Sequence, residues 1–184
     1  MTAMMSVVSR SATQGHASGV DRAEVRREAA TMVLYVSVVE IAELASLPER
    51  HFSHGVVTGP VGMQLLAIIW GTAIGLAIAH WFAFGVVAPA FSGNQATRID
   101  THIGIAQLGG AVVVAAVSSL PVLLFSDVRA QETTGDIPAL IIGCIAFVIA
   151  RSAGKARLPS VFYALTAVAL GFGVALVKSA LVAH

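Results

Sequence analysis

Residues 61–88 read VGMQLLAIIWGTAIGLAIAHWFAFGVVA, without a single Asp, Glu, Lys or Arg. The hydrocarbon core of a bilayer is about 30 Å thick, and roughly 20 apolar residues of helix cross it. This run is long enough to cross with tilt or to extend past the bilayer. Membrane barrel strands alternate apolar and polar residues over about ten positions each. This run is longer and continuously apolar, so it reads as a helix.

Working outward, four further stretches qualify: residues 29–47, 103–125, 137–153 and 160–183, of which 137–153 is short. The expected fold is therefore all-α, a polytopic transmembrane helix bundle of five spans. Residues 26–184 form one membrane domain, preceded by a flexible cytoplasmic tail over 1–25 that is rich in Ser, Ala, Thr and Gly. The tail has no apolar core and is not a secretory signal peptide. Proline placement agrees with the spans. Pro48 and Pro89 follow the first and second, Pro60 precedes the second, and Pro138 and Pro159 open the fourth and fifth, where a missing N–H costs nothing. Pro121 alone falls inside a span, near its end, where it kinks or finishes the helix.

The bulk numbers agree. Of 184 residues, 57% are hydrophobic and 11% charged, and the mean hydropathy is +0.84. A soluble domain carries about 25% charged residues, and a disordered chain is poor in apolar ones. The net charge of +1 makes no general case for nucleic-acid binding. Cys144, the single cysteine, has no partner in its own chain and leaves the redox compartment unread.

Basic residues in short loops favour the cytoplasmic side. With the N-terminus inside, the inner side receives Arg10, Arg22, Arg26, Arg27, Arg98, Arg151, Lys155 and Arg157, and the outer side Arg50, Arg129 and Lys178. The acidic loop residues Asp127, Glu132 and Asp136 suit the outside. The expected topology is N-terminus inside and C-terminus outside, in the cell membrane, most naturally a bacterial cytoplasmic membrane. Glu40 and Glu43 interrupt the first span, so a surface-lying amphipathic helix is its alternative reading. That alternative places the N-terminal arginines on the outer side and breaks the charge asymmetry.

Lipid is as apolar as leucine, so membrane helices associate by close backbone approach and buried polar contacts. Small residues recur every fourth position: Ala67, Gly71, Gly75 and Ala79 in the second span, Ala111, Ala115 and Ser119 in the third, Ala146, Ala150 and Gly154 in the fourth, and Ala167, Gly171, Ala175 and Ser179 in the fifth. Packing within one chain is the expected use of these stripes, and an oligomer face is the alternative.

Ionisable groups inside a span cost about 2.5–3.5 kcal/mol each on insertion scales and are functional candidates by default. Glu40, Glu43 and Lys178 are the three charges placed within spans, all toward the outer side, and Gln64 begins the second span there. Glu40 and Glu43 share a helix face. Such a pair binds a cation or shares a proton, or it simply pairs with Lys178 or Arg50. A second cluster belongs to the inner boundary: His80, Asp100, His102 and, slightly deeper, Gln107. A His–Asp–His set can hold a metal or relay protons, but without regular ligand spacing the interfacial reading is preferred, with Trp81 beside His80 at headgroup level. His51 and His54 in the first outer loop are a low-specificity metal entrance.

There is no P-loop, no dinucleotide GxGxxG and no GxSxG elbow. No catalytic residue, cofactor or assigned metal is expected. The expected function is a non-enzymatic membrane bundle that self-assembles or serves as an accessory subunit, with the lipid bilayer and a second copy or larger membrane complex as partners. The alternative is a small proton or cation transporter or channel using the intramembrane carboxylates.

Glu28-Ala-Ala-Thr-Met-Val-Leu-Tyr35, Trp70-Gly-Thr-Ala-Ile-Gly-Leu-Ala-Ile-Ala-His80-Trp-Phe82 and the closing Lys178 to His184 resemble small multi-pass integral membrane proteins of actinobacterial type. The resemblance covers about a third of the chain. It implies a multi-spanning helical fold and no activity. The carboxylates of the first span also give a superficial likeness to vacuolar-iron-transporter-type proteins. The acidic metal-binding stretch of that family is missing here, so no site carries over.

Overall fold

A computed structural model describes the backbone of residues 2–47, 52–53, 56–57, 60–92, 98–125 and 127–182, and side chains over 22–47, 60–83, 85–86, 102–125, 133–178 and 180–181. It is helical, with helices α1 (Thr2–Ala45), α2 (Met63–Ser92), α3 (Arg98–Leu124), α4 (Asp127–Ser152) and α5 (Arg157–Val182). A short antiparallel pairing of β1 (Phe52–Ser53) with β2 (Val56–Val57) lies between α1 and α2. The expected tail coincides with the N-terminal part of α1, whose side chains lie outside the described residues through Asp21.

Four helices are long and apolar enough to cross a membrane: Met63–Ala83, His102–Leu124, Thr133–Ser152 and Arg157–Lys178. α1 falls short of that standard because its apolar half carries Glu28, Glu40 and Glu43. The four helices expose large apolar side chains such as Ile78, Phe82, Leu123, Leu140, Leu165, Leu170 and Leu176. Exposed apolar surface this extensive is unfavourable in water and ordinary against lipid.

α1 is the central helix. Its buried residues Met32, Val33, Val36, Ser37, Glu40 and Ile41 recur at three- and four-residue spacing and form one stripe. Met32, Val33 and Val36 pack with Leu65, Ile69, Ala73 and Ala77 of α2 and Ala111, Val114 and Ala115 of α3. Ile41 packs with Ala139 and Ile142 of α4 and Ala175 of α5. α1 thus lies between the α2–α3 pair and the α4–α5 pair.

Contacts give the helix directions. Glu28 meets Gln107 and Glu40 meets Ser118, so α1 and α3 run parallel. Trp70 meets Ser119 while Trp81 lies against Gly104, so α2 and α3 are antiparallel. Ile41 lies near Gly171 and Glu43 binds Lys178, so α5 runs with α1. Gly171 touches Ile142 and Gly143 faces Val168, so α4 opposes α5. Direction alternates along the chain.

The small-residue stripes divide into two groups. Ala111, Ala115 and Ser119 of α3, Ala146 and Ala150 of α4, and Gly171 and Ala175 of α5 are buried within the chain. A Cβ added to Gly110, beside the α3 stripe, would come within 3.0 Å of the Ala29 carbonyl oxygen. The α2 stripe is different. Ala67, Gly71, Gly75 and Ala79 are all exposed, and a Cβ on Gly71 or Gly75 would meet nothing within 4 Å. For this stripe the expectation of intrachain packing is corrected. α2 turns its bulkier side chains Leu65, Ile69 and Trp70 toward the bundle and its glycines outward.

Proline placement also needs one correction. α4 begins at Asp127, so Pro138 lies inside the helix rather than at its start. Proline there removes a backbone hydrogen bond and costs about 3 kcal/mol in an isolated helix. Pro138 is fully buried beside buried Ala139 and Thr134, so tertiary packing holds the helix through it. Pro121 comes one turn before the end of α3, where its carbonyl accepts the Phe125 N–H at 2.9 Å. Pro159 lies in the first turn of α5, as expected. The turn before it is a Schellman motif. Gly154 takes φ +79°, its N–H bonds to the Arg151 carbonyl at 3.0 Å, and the Lys155 N–H bonds to that of Ala150 at 3.1 Å.

Candidate polar site in the bundle core

Glu40 and Glu43 sit one turn apart on α1, yet the bundle gives them different surroundings. Glu43 Oε2 accepts a 3.2 Å hydrogen bond from Lys178 Nζ on α5, and both side chains are partly exposed. That pair is closed: one positive charge answers one negative charge at the edge of the bundle.

Glu40 points into the core and is only 1% exposed. Its Oε2 accepts a 2.7 Å hydrogen bond from Ser118 Oγ of α3. Its Oε1 is buried and has no hydrogen-bond partner among the described residues, and the same holds for Ser37 Oγ, one turn earlier on the same face. On the adjoining face of α3, Ser119 Oγ accepts the Trp70 Nε1–H of α2 at 3.0 Å and donates to the Ala115 carbonyl at 2.6 Å. This arm of the polar core is complete; the Ser37–Glu40 arm keeps two oxygens unsatisfied.

Of the outer set expected from the sequence, the structure joins Glu43 to Lys178 and sets Glu40 one turn away on the core side. Gln64 is exposed in the first turn of α2, and among the described residues its side chain bonds to none of the three. In the inner set, Gln107 is buried and its Nε2–H donates to Glu28 Oε2 at 3.2 Å. His80 is half-buried and His102 exposed, while the Asp100 side chain lies outside the described residues. Arg50, His51 and His54 also lie outside them. Among the described residues, no group of three or more His, Cys, Asp or Glu side chains is placed to hold a metal ion.

Sequence reasoning passed over Ser37 and Ser118, and gave Ser119 and Glu28 no place among the polar candidates. Two signals were present. Ser37 lies three residues before Glu40, on its face, and Ser118-Ser119 are the only hydroxyl pair within the long apolar run of α3. Among the described residues, crevices flank the core at both ends. One, of about 190 Å³, is lined by Ile41, Leu44, Ala45, Leu47, Gly135, Asp136 and Phe172 at the Glu43 end. The other, of about 360 Å³, is an apolar cleft between α2 and α3 at the Trp81 end. Compared with family models, with curated proteins and with solved structures, the chain matches none.

Proposed function

We propose that the protein is a non-enzymatic integral membrane bundle of five spans, N-terminus inside and C-terminus outside, that self-assembles through the small-residue face of α2, alone or as a subunit of a larger complex. The observation that carries this reading is the contrast among stripes. Ala111, Ala115, Ser119, Ala146, Ala150, Gly171 and Ala175 are buried within the chain, while Ala67, Gly71, Gly75 and Ala79 face outward with open space over the glycines. Close helix approach through such a face is a recognised association mode in lipid, and a second α2 supplies the matching surface. The fifth span is supported by the central place of α1, whose carboxylates turn toward Ser118 and Lys178. The orientation is supported by Arg151, Lys155 and Arg157 around the α4–α5 turn, which suit the cytoplasmic face.

The test uses native membranes and a Cys144→Ala background. Ala67→Cys or Gly71→Cys is expected to yield a disulfide-linked dimer under mild oxidation, and Ala146→Cys, buried in its own bundle, is expected to yield none. Gly71→Ile is expected to shift the detergent-extracted protein toward monomer with unchanged helix content. A wild-type monomer at all concentrations overturns the proposal.

A second reading, a small proton or cation transporter, is supported by one observation, the buried and incompletely bonded Glu40. Glu43 does not add to it, because Lys178 already neutralises that group.

A further inference from the structure

We propose that Ser37, Glu40 and Ser118 form a binding site for one monovalent cation, a proton or Na⁺, in the centre of the bundle. This takes up the cation-handling reading and narrows it to one carboxylate; binding stands whether or not the ion is carried across.

The first support is unused bonding capacity. Glu40 Oε1 and Ser37 Oγ are both buried without a partner among the described residues. Ser118 Oγ spends its one hydrogen on Glu40 Oε2 and keeps lone pairs free. Hydroxyls in these helices commonly bond back to their own backbone: Thr31 to Arg27, Ser119 to Ala115, Ser160 to Ala156 and Thr166 to Phe162. Ser37 does not, so its oxygen is available to something else. Unpaired buried polar groups are costly, and a cluster of them calls for an occupant.

The second support is charge. Among the described residues, no hydrogen bond or ion pair joins Glu40 to a basic side chain. On α1 and α5, Glu43 and Lys178 neutralise each other. On α4, Asp136 is exposed and lines the crevice at the end of α1. On α2 and α3, His80 and His102 lie toward the Trp81 end, and Asp100 precedes His102 on α3. Ser118 is more than four helical turns beyond His102, on the order of 24 Å along the axis. Glu40 therefore has no described cationic partner, and an uncompensated carboxylate in this interior is strongly unfavourable. One positive charge neutralises the site. A divalent ion would leave a net positive charge in the same place, which excludes it on the same ground. A proton on Oε1 turns that oxygen into a donor for a neighbouring hydroxyl. Na⁺ is a hard cation suited to oxygen donors, and the site offers the carboxylate and both hydroxyls.

Ile41, the residue after Glu40, lines the crevice of about 190 Å³ that Asp136 borders.

The experiment uses the full chain in lipid nanodiscs, with infrared spectra at neutral pH and thermal unfolding in NaCl or choline chloride across pH. A bound proton gives the carbonyl stretch of a protonated carboxylic acid, lost in Glu40→Gln, kept in Glu43→Gln, and shifted in Ser37→Ala and Ser118→Ala. Bound Na⁺ instead gives a sodium-specific rise in Tm that grows with pH as protons cease to compete. That rise is lost in Glu40→Gln, reduced in both serine variants and kept in Glu43→Gln. Either pattern supports the site and names the occupant. The site is overturned if neither signal exists, as when water alone fills it, or if the signal survives Glu40→Gln. Should Glu40→Gln fail to fold, a signal unchanged in both serine variants overturns it equally. Proteoliposome flux separates the readings: an intact site without proton or Na⁺ flux removes transport and leaves binding in place.

Discussion

Two carboxylates three residues apart on one helix carry different duties, and the difference comes from what the neighbouring helices present. Glu43 meets a lysine at the bundle edge, and Glu40 meets a serine in its core. The spacing was legible in the sequence; the division was not, because it depends on which of α3 and α5 lies over each position. Exposed ion pairs are worth about 0–1 kcal/mol, and breaking a buried pair costs about 3–5 kcal/mol. With both partners more than a third exposed, the Glu43–Lys178 pair belongs near the lower range. Glu43→Gln and Lys178→Met are each expected to lower stability modestly, and the double variant to recover part of the loss in thermal unfolding. Full additivity of the two losses would show that the contact contributes nothing. Trp70→Phe removes one hydrogen bond to Ser119, which still bonds to Ala115. Its expected cost is about 0.5–1.5 kcal/mol, read by the same melt.

At the scale of helices, glycine position separates inner from outer faces. Glycine to alanine in an exposed helix interior gains about 1 kcal/mol of helix propensity. Gly71 has open space around it within its own chain, so Gly71→Ala is expected to leave the fold of the dissociated chain unchanged or slightly stabilised. At Gly110 the added methyl would stand 3.0 Å from the Ala29 carbonyl oxygen, a backbone atom on the parallel helix. Overpacking of this kind costs about 1–3 kcal/mol and outweighs the propensity gain. At Gly171 the nearest atom is Ile142 Cδ1 at 3.1 Å, the tip of a flexible side chain, so Gly171→Ala should fall between. The expected order of melting temperatures, read on dissociated monomer, is Gly71→Ala, then Gly171→Ala, then Gly110→Ala, and a lowest value for Gly71→Ala there would contradict the α2 packing. Sequence pattern located these stripes because a four-residue repeat is local. It could not say which stripe the chain itself covers. The start of α4 was hidden for a related reason: a polar segment ending in proline reads as a loop unless tertiary contacts hold Thr134 and Pro138 inside.

At the scale of the molecule, four long apolar helices were readable from hydropathy because spanning length is a property of each segment alone. α1 needed the rest of the bundle to be understood, since its place depends on groups more than seventy residues away. Under the proposed orientation, Ala156→Cys in a Cys144→Ala background is expected to resist membrane-impermeant thiol reagents added outside and to react once the inner face is opened. Labelling from outside on intact cells would reverse the topology.

The central place of α1 also constrains assembly. α1 leaves the ribosome before the groups that answer its carboxylates, Ser118 on α3 and Lys178 near the end of α5. If α1 is the fifth span, as proposed, it has no settled place in lipid until then, because each bare charge there is unfavourable. This bundle then completes only when α5 inserts. A chain stopped before Arg157 would present an unanswered Glu43, a mark by which quality-control proteases can tell an unfinished copy from a finished one. Such a truncated chain is expected to turn over faster than full-length protein in a pulse-chase, and Glu43→Gln to restore part of its lifetime.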